Sequence, residues 1–276
     1  VPVGVVVQDL YSKAFAELGL LGGRLDERVH RFERSLLHRA DGLVAIHERM
    51  ADVIARDFDV PRSDITVIPN WTHVSQPSGD RTARRRELGW DDGRFTVVHA
   101  GNMGAKQGLE HLIPAGRLLD AEQADVRLVL IGNGGQRGQL EEAARGVASI
   151  EFMDALPAET FMNTLAAADA LLLHERPGMR EMCVPSKLTT YFAARRPVIA
   201  VTEAESAAAH EVTSSRSGLL VPPGDPEEFV AAVATVKDRD PTEMGEAGFA
   251  YAVSELSEAR ALTKYRGWVS RLVSGR

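Results

Sequence analysis

Gly101, Gly104 and Gly108 follow the apolar segment Thr96–Ala100 and lead into a predicted helix. Glycine lets main-chain N–H groups approach a ligand closely, and a helix N-terminus carries partial positive charge, so this combination favours a bound phosphate. The spacing differs from the dinucleotide fingerprint and lacks the Lys-Ser/Thr ending of a P-loop, so neither NAD nor Mg-ATP is favoured. A tight turn without a ligand is the alternative that the pattern leaves open.

Lys187 comes after Pro185 and Ser186 and opens another predicted helix. A cation in a first helical turn opposes the helix dipole, and a bound anion would remove that penalty. Further turns at residues 132–135 and 153–154 also follow strand-like segments. Ligands of open α/β sheets lie beyond the carboxyl ends of the strands, so we expect these turns and Lys187 to surround one ligand. A solvated lysine is the alternative.

Strand-like segments alternate with amphipathic helices along the chain, which predicts an α/β fold with parallel sheets covered on both faces. A polar linker at residues 72–94 divides the chain into a first domain, residues 1–71, and a second domain, residues 95–255. A final helix over residues 256–276 would cross back to the first domain. The predicted strands are Val3–Val7, Gly42–Ile46, Ile65–Ile68, Thr96–Ala100, Val126–Ile131, Ala170–Leu173, Pro197–Val201 and Gly218–Val221.

Composition bounds the class of protein. The 276 residues are 44% hydrophobic and 26% charged, which is enough for two domains with apolar cores. A net charge of -7 gives no global reason to expect nucleic acid as a partner. The lone cysteine, Cys183, excludes an internal disulfide and a cysteine cluster for zinc, so we expect a cytoplasmic protein.

Several segments together resemble the nucleotide-sugar domain of the retaining GT-B glycosyltransferases of family four: "VVHAGNMGAKQGLEHLI", "VRLVLIGNGG", "IEFMDALP", "VPSKLTTYFAARRPVIAV" and "SGLLVPPGDPEEF". The earlier segments "VVVQDLYSKAFAELGLL" and "ITVIPNW" resemble the second half of that family's acceptor domain. The likeness points to bacterial enzymes of lipopolysaccharide, colanic acid and capsule synthesis, similar to the fucosamine transferases. It implies a GT-B fold of two Rossmann-like parallel-sheet domains. The first is expected to be incomplete, because roughly a hundred residues of βα units would precede Val3–Val7 in a longer protein.

The resemblance implies transfer of a sugar, with retention, from a UDP-sugar to a saccharide or lipid-linked acceptor, with no cofactor. No clear Asp-x-Asp set suggests a metal. Catalytic roles fall on Gln8, Asp9 and Lys187. The implied donor contacts are Gly101, Asn102, Met103, Gly104, Gln107, Gly132, Asn133, Met153, Glu181, Val184, Pro185, Ser186, Lys187, Leu188 and Thr190.

The chain departs from the family pattern at charged positions. Asn102 and Gln107 stand where the family has an Arg and a Lys that neutralise the diphosphate. Thr190 replaces the ribose-binding Glu, Glu181 only approximates the earlier Glu, and Gln8 stands where many members have a His. The candidate replacement cations are Lys106 with Lys187, or Arg176 with Arg180.

A helix predicted in "RLDERVHRFERSLLHRAD" has an apolar stripe flanked by arginines. Packing of the stripe on the sheet, with the arginines paired to Glu27 and Glu33, is the favoured interpretation. A peripheral contact with an anionic membrane is the alternative. The basic segment "RTARRR" is predicted to be a solvated linker. The stripe consists of Leu25, Val29, Phe32 and Leu36.

Two other functions stay open beside the transferase. A GT-B nucleotide-sugar epimerase or a phosphorylase would share the architecture, and a degenerate chain could bind a nucleotide sugar or a partner protein without turnover. Of the remaining conspicuous side chains, His99 is interpreted as a core histidine in preference to a ligand contact, and His47 as a turn or cap residue.

Overall fold

The first of two parallel sheets has three strands in the order β1-β2-β3. The computed structural model describes residues 1–19, 24–71, 76–180 and 186–275. Short runs rich in valine, leucine and isoleucine form these strands because parallel strands are covered on both faces. With its surrounding helices, this sheet is called the first lobe. Its strands are β1 Gly4–Val7, β2 Gly42–Ala45 and β3 Ile65–Val67.

The second sheet has six parallel strands in the order β6-β5-β4-β7-β8-β9. With its helices it forms the second lobe. The chain winds outward in one direction from β4 and in the other from β7, so the switch point lies between these two strands. A crevice at the carboxyl ends of the strands is expected there. The strands are β4 Phe95–Ala100, β5 Val126–Ile131, β6 Ile150–Met153, β7 Ala170–His174, β8 Val198–Val201 and β9 Gly218–Val221.

Most helices connect successive strands, and α11 and α12 follow the last strand. Their ends carry local capping chemistry: the Asp225 carboxylate accepts from the main-chain N–H groups of Glu227 and Glu228, with Pro226 in the first turn of its helix. The helices are α1 Tyr11–Leu18, α2 Arg24–Arg39, α3 Glu48–Phe58, α4 Arg81–Glu87, α5 Leu112–Ala121, α6 Arg137–Ala143, α7 Ala158–Ala167, α8 Lys187–Ala193, α9 Ala207–Ser215, α10 Pro226–Asp238, α11 Pro241–Glu255 and α12 Glu258–Ser274.

The C-terminal helix α12 packs on the first sheet, far in sequence from the strands that it covers. Trp268 forms a buried cluster with Val44 and Ile68. A side chain at Gly4 would collide with the Trp268 ring, so glycine lets the helix approach β1 closely. The last helix therefore completes the core of the first lobe.

Helix α4 carries the basic segment that the sequence predicts to be a solvated linker, and that prediction is wrong. Arg85 Nη1 lies 3.0 Å from the Asp169 carboxylate, and Arg81 contacts the same carboxylate. Arg84 donates to the Thr164 hydroxyl at 2.8 Å. These three arginines fix α4 to the second lobe, because each of them meets an acceptor on or just after α7.

Helix α2 turns its apolar stripe toward solvent. Leu25, Phe32 and Leu36 are 50%, 66% and 48% exposed, while the helix buries Leu37 on its other side. The favoured interpretation, packing of the stripe on the sheet, is therefore wrong. The predicted partner Glu33 accepts from main-chain N–H groups at the start of α1. Among the helices of the described ranges, none combines the length and apolarity that crossing a bilayer requires.

Candidate functional site

A cleft of about 570 Å³ lies between the two lobes, at the switch point of the second sheet. Its volume falls in the range typical of small-molecule sites. The first lobe contributes Gln8, Asp9, Ile46 and Asn70. The second lobe contributes residues after β4, residues at and after the end of β7, and the start of α8: Gly101, Asn102, Lys106, Gln107, Leu173, His174, Glu175, Met179, Ser186 and Lys187.

A smaller cavity of about 300 Å³ adjoins the cleft, because Gly101 and Asn102 line both. The turn beside it is held by Arg137, whose Nη1 donates to the carbonyl oxygens of Gly132 at 2.6 Å and Met153 at 3.2 Å. The two cavities thus lie on either side of Gly101 and Asn102, at the end of β4. The remaining lining residues of the smaller cavity are Ile131, Gly132, Asn133, Ala155, Leu156 and Phe161.

The main-chain amides of the glycine turn bond within the protein. The sequence predicts that they face a phosphate, and in this structure that prediction is wrong for three of them. Partners from the neighbouring strand and from the turn itself accept their protons. The bonds are Gly101 N–H to the Ile131 carbonyl at 2.8 Å, Met103 N–H to the Asn133 carbonyl at 2.8 Å, and Gly104 N–H to Gln107 Oε1 at 3.1 Å.

The glycines of this turn allow close packing inside the protein. Gly101 has φ +131°, and a Cβ there would lie 2.8 Å from Lys187 Cε. A Cβ at Gly108 would lie 2.8 Å from the main chain of Arg176. The space next to Gly101 is therefore filled by the Lys187 side chain, and the space next to Gly108 by the segment after β7.

Lys187 meets a buried histidine below the turn. Its Nζ lies 3.1 Å from Nε2 of His99, and Nδ1 of His99 lies 3.2 Å from the Leu172 carbonyl oxygen. Burial, with Lys187 and His174 nearby, holds the pKa of His99 well below its usual value. Main-chain hydrogen bonds of the ring with Leu172 and Asn102 oppose that fall. In the Nδ1–H tautomer, Nδ1 donates to the Leu172 carbonyl and Nε2 accepts from the lysine ammonium. The prediction of a core histidine is confirmed, with this polar contact added.

His174 ties the glycine turn to β7. Its Nδ1 donates to the Gln107 carbonyl at 2.6 Å, and burial lowers the pKa of His174 to about 4. The ring stacks on His111 with 6.4 Å between the centroids. The side chain is therefore neutral at physiological pH and holds the turn in place.

The free energy of unfolding is expected to fall as the pH is lowered from 6.5 toward 4. The unfolded chain takes up a proton at His174 near its usual pKa of 6.5, whereas the folded chain resists until about 4. The contribution is present above pH 6.5 and its loss amounts to about 2 kcal/mol at pH 5. Urea denaturation across this range measures it, with His174→Asn, which keeps a donor for Gln107, as the matched variant. An equal pH slope in both proteins would contradict the assignment.

Glu175 is a cleft residue that the sequence analysis missed. It follows β7 directly, accepts from the Thr202 hydroxyl at 2.5 Å, and burial raises the pKa of its carboxyl group. Lys106 opposes that rise. The rule that sites lie at the carboxyl ends of strands could have found Glu175, since it stands at the end of an apolar run.

The predicted site residues fall into four groups. Gln8, Asp9, Gly101, Asn102, Gln107, Ser186 and Lys187 line the cleft. Gly132 and Asn133 line the smaller cavity. Neither cavity is lined by Met103, Gly104, Met153, Leu188 or Thr190. The side chains of Met103 and Leu188 are buried in the core, and the donor contacts implied for these two residues stay a prediction. Glu181, Val184 and Pro185 lie outside the described residues.

His47, His210 and Glu211 bring potential ligand atoms within 4.8 Å of one another. Nδ1 of His47 accepts from the main-chain N–H of Arg49 at 3.1 Å, which confirms the predicted cap. A neutral ring that accepts at Nδ1 carries its proton on Nε2, which lies 3.1 Å from Glu211 Oε1. A metal would need the Nε2 lone pair. The arrangement is therefore a histidine–carboxylate contact between the lobes.

Each lobe matches a known protein family. The family described as Glycosyl transferases group 1 matches residues 94–238, and the Glycosyl transferase 4-like domain matches residues 1–71. The chain belongs to the glycosyl transferases group 1. The predicted family resemblance is thereby confirmed.

Relatives of this group 1 chain include bacterial glycosyltransferases. The chain is 30% identical over 213 residues to the putative colanic acid biosynthesis glycosyl transferase WcaI of Escherichia coli K12, covering 72% of this chain and 50% of the relative. It is 26% identical over 278 residues to the probable glycosyltransferase WbjE of Pseudomonas aeruginosa, covering 98% and 68%. The chain thus spans half the length of the Escherichia coli relative.

Solved structures show the fold of the group 1 chain. Anabaena Alr3699/HepE in complex with UDP has a TM-score of 0.76 at 17% identity, covering 99% of this chain and 72% of that one. Sucrose-phosphate synthase from Thermosynechococcus elongatus has a TM-score of 0.77 at 19% identity, covering 98% and 68%. These likenesses and the two parallel sheets confirm the predicted GT-B fold.

Proposed function

We propose that the chain is the donor-binding part of a retaining glycosyltransferase that moves a sugar from a UDP-sugar to a saccharide or lipid-linked acceptor in cell-surface polysaccharide synthesis. The observation that carries the proposal is the cleft between the lobes, where Lys187 and Lys106 line the switch point of the second sheet. Family membership and the relatives in colanic acid synthesis support it. The domain division at residues 1–71, 72–94, 95–255 and 256–276 is part of the proposal.

The two adjoining cavities suit the parts of a nucleotide sugar. We assign the base to the smaller cavity, the diphosphate to the junction at Gly101 and Asn102, and the sugar to the cleft. The ammonium groups of Lys106 and Lys187 stabilise the charge that grows on the departing diphosphate. They supply the cations that Asn102 and Gln107 lack. Because three amides of the turn bond within the protein, side-chain cations have the larger share of this task.

Residues of the first lobe face the reacting end of the donor. Asp9 and Gln8 line the cleft, and Gln8 Oε1 accepts from Asn70 Nδ2 at 3.0 Å, which fixes that side chain. Asp9 orients an acceptor or sugar hydroxyl by accepting its proton in a hydrogen bond. UDP is the proposed nucleotide, supported by the related structures of Anabaena HepE with UDP and with UDP-glucose.

Nucleotide release from a panel of UDP-, GDP- and ADP-sugars tests this function, on this chain and on any longer gene product that contains it. We expect UDP release that depends on an added acceptor and a product with the anomeric configuration of the donor. Acceptor-independent interconversion of UDP-sugars would favour the epimerase. Binding without turnover in every form of the protein tested would favour the non-catalytic alternative. Release of GDP or ADP alone would overturn the proposed donor.

The exposed apolar face of α2 suits a peripheral contact with an anionic membrane, where a lipid-linked acceptor resides. Leu25, Phe32 and Leu36 face solvent beside Arg28 and other arginines of the helix. Co-sedimentation with vesicles that contain anionic lipid tests the contact, and Phe32→Asp is expected to reduce binding. Equal sedimentation with neutral and anionic vesicles would contradict it.

A further inference from the structure

We propose that His99 is a positioning residue that fixes the ammonium group of Lys187 at the glycine turn, ready for the diphosphate of the donor. The inference rests on the proposed function and assigns a role to a residue that lines neither cavity. His99 lies on β4 and Lys187 at the start of α8, 88 residues further along the chain.

The orientation of the His99 ring is fixed from the side opposite the lysine. Its Nδ1–H donates to the Leu172 carbonyl on the neighbouring strand β7. The Tyr191 hydroxyl also reaches the Leu172 carbonyl at 3.2 Å and accepts from Ala100 N–H at 3.0 Å. The ring is fully buried, so rotation would leave buried polar groups without partners. In the Nδ1–H tautomer, the Nε2 lone pair therefore faces Lys187.

Gly101 leaves room for the Lys187 side chain because it has no side chain of its own. The side chain passes over the bare Cα of Gly101, where a Cβ would lie 2.8 Å from Lys187 Cε. The ammonium then meets His99 Nε2 at 3.1 Å. An unrestrained lysine side chain loses conformational entropy when it is ordered. Ordering it before the donor arrives reduces the cost of binding.

The neutral state of His99 is what makes it an acceptor. Burial and the nearby Lys187 keep the pKa of His99 well below its usual value, so the ring keeps its Nε2 lone pair at physiological pH. A leucine has similar volume and no lone pair, whereas a glutamine places an amide oxygen near the position of Nε2. These two substitutions separate the packing of the ring from its hydrogen bond.

A double-mutant cycle tests the proposal on the whole 276-residue chain. His99→Leu is combined with Lys187→Met, and the dissociation constant of UDP is measured by calorimetry for the wild type, both single variants and the double variant. We expect His99→Leu to weaken UDP binding about tenfold when Lys187 is present and to change nothing when it is Met. His99→Gln should restore most of the affinity. Thermal unfolding of each variant reports on the fold.

Three results would overturn the role. Equal weakening in both lysine backgrounds would make His99 a packing residue only, and unchanged affinity in His99→Leu would show that Lys187 is placed by other contacts. A wild-type chain that binds no UDP, GDP or ADP would overturn the proposed function and this role together. In the first two results UDP still binds to the wild type, so the proposed function would survive.

Nitrogen NMR of the His99 ring keeps the proposal testable if His99→Leu does not fold. The wild type is expected to show the Nδ1–H tautomer, with an Nε2 resonance that moves on Lys187→Met. An Nε2–H tautomer, or an Nε2 resonance that Lys187→Met leaves in place, would overturn the role.

Discussion

Lys187→Met is expected to weaken UDP binding by about ten- to a hundredfold, the range that follows from losing a charge-assisted hydrogen bond. The ammonium lies beside Gly101, at the junction of the two cavities, where we place the diphosphate. Methionine retains most of the apolar length that packs over Gly101 and removes the charge. The loss therefore reports on the phosphate contact more than on packing.

Calorimetric titration with UDP measures this change, and Lys237→Met is the matched control. Lys237 lies on α10, with its Nζ 3.5 Å from the Asp125 carbonyl before β5, away from the cleft. Lys237→Met alters the net charge of the chain by the same amount as Lys187→Met. Equal affinities of the Lys187→Met variant and the wild type would remove the lysine from the donor site.

Trp268→Ala is expected to lower the free energy of unfolding by about 3–5 kcal/mol, as truncation of a large buried aromatic does. The ring packs against Val44 and Ile68 of the first lobe, and both Gly4 and Gly42 leave room for it. The neighbouring residues can fill the cavity left by the ring only in part, because the ring lies between α12 and the face of a parallel sheet. The first lobe should lose stability before the second.

Guanidinium denaturation followed by circular dichroism measures the loss. Val269→Ala is the control on the same helix, because Val269 is 46% exposed and should change stability by less than about 1 kcal/mol. A similar loss in both variants would mean that α12 contributes through its helical structure and not through docking of the tryptophan.

The sequence predicts most of the sheet framework, because buried parallel strands appear as continuous apolar runs. The predicted strand Val126–Ile131 is found unchanged, and Thr96–Ala100 begins one residue earlier as Phe95–Ala100. Strand β6 was not among the predicted strands. Its segment is recognised in the sequence merely as the strand-like lead to the turn at residues 153–154, because this short edge strand, paired with β5, carries Glu151.

The sequence predicts where the site lies more accurately than it predicts which groups are available to bind a ligand there. The strand-end rule brings Gly101, Asn102 and Lys187 to one cleft. The occupied amides of the turn could not be foreseen, since the acceptors at Ile131 and Asn133 belong to a neighbouring strand and its turn. The same limit applies to the basic helix α4, whose partner Asp169 stands more than 80 residues away. Sequence spacing reports local structure, whereas these roles depend on pairs brought together by the fold.

Because α12 returns to the first sheet, the chain passes from one lobe to the other twice: once between β3 and α4, and once between α11 and α12. A body tied to another at two points turns most easily about the line that joins them. Opening and closing of the cleft should therefore follow a single hinge axis, with sliding and twisting resisted by the covalent chain itself.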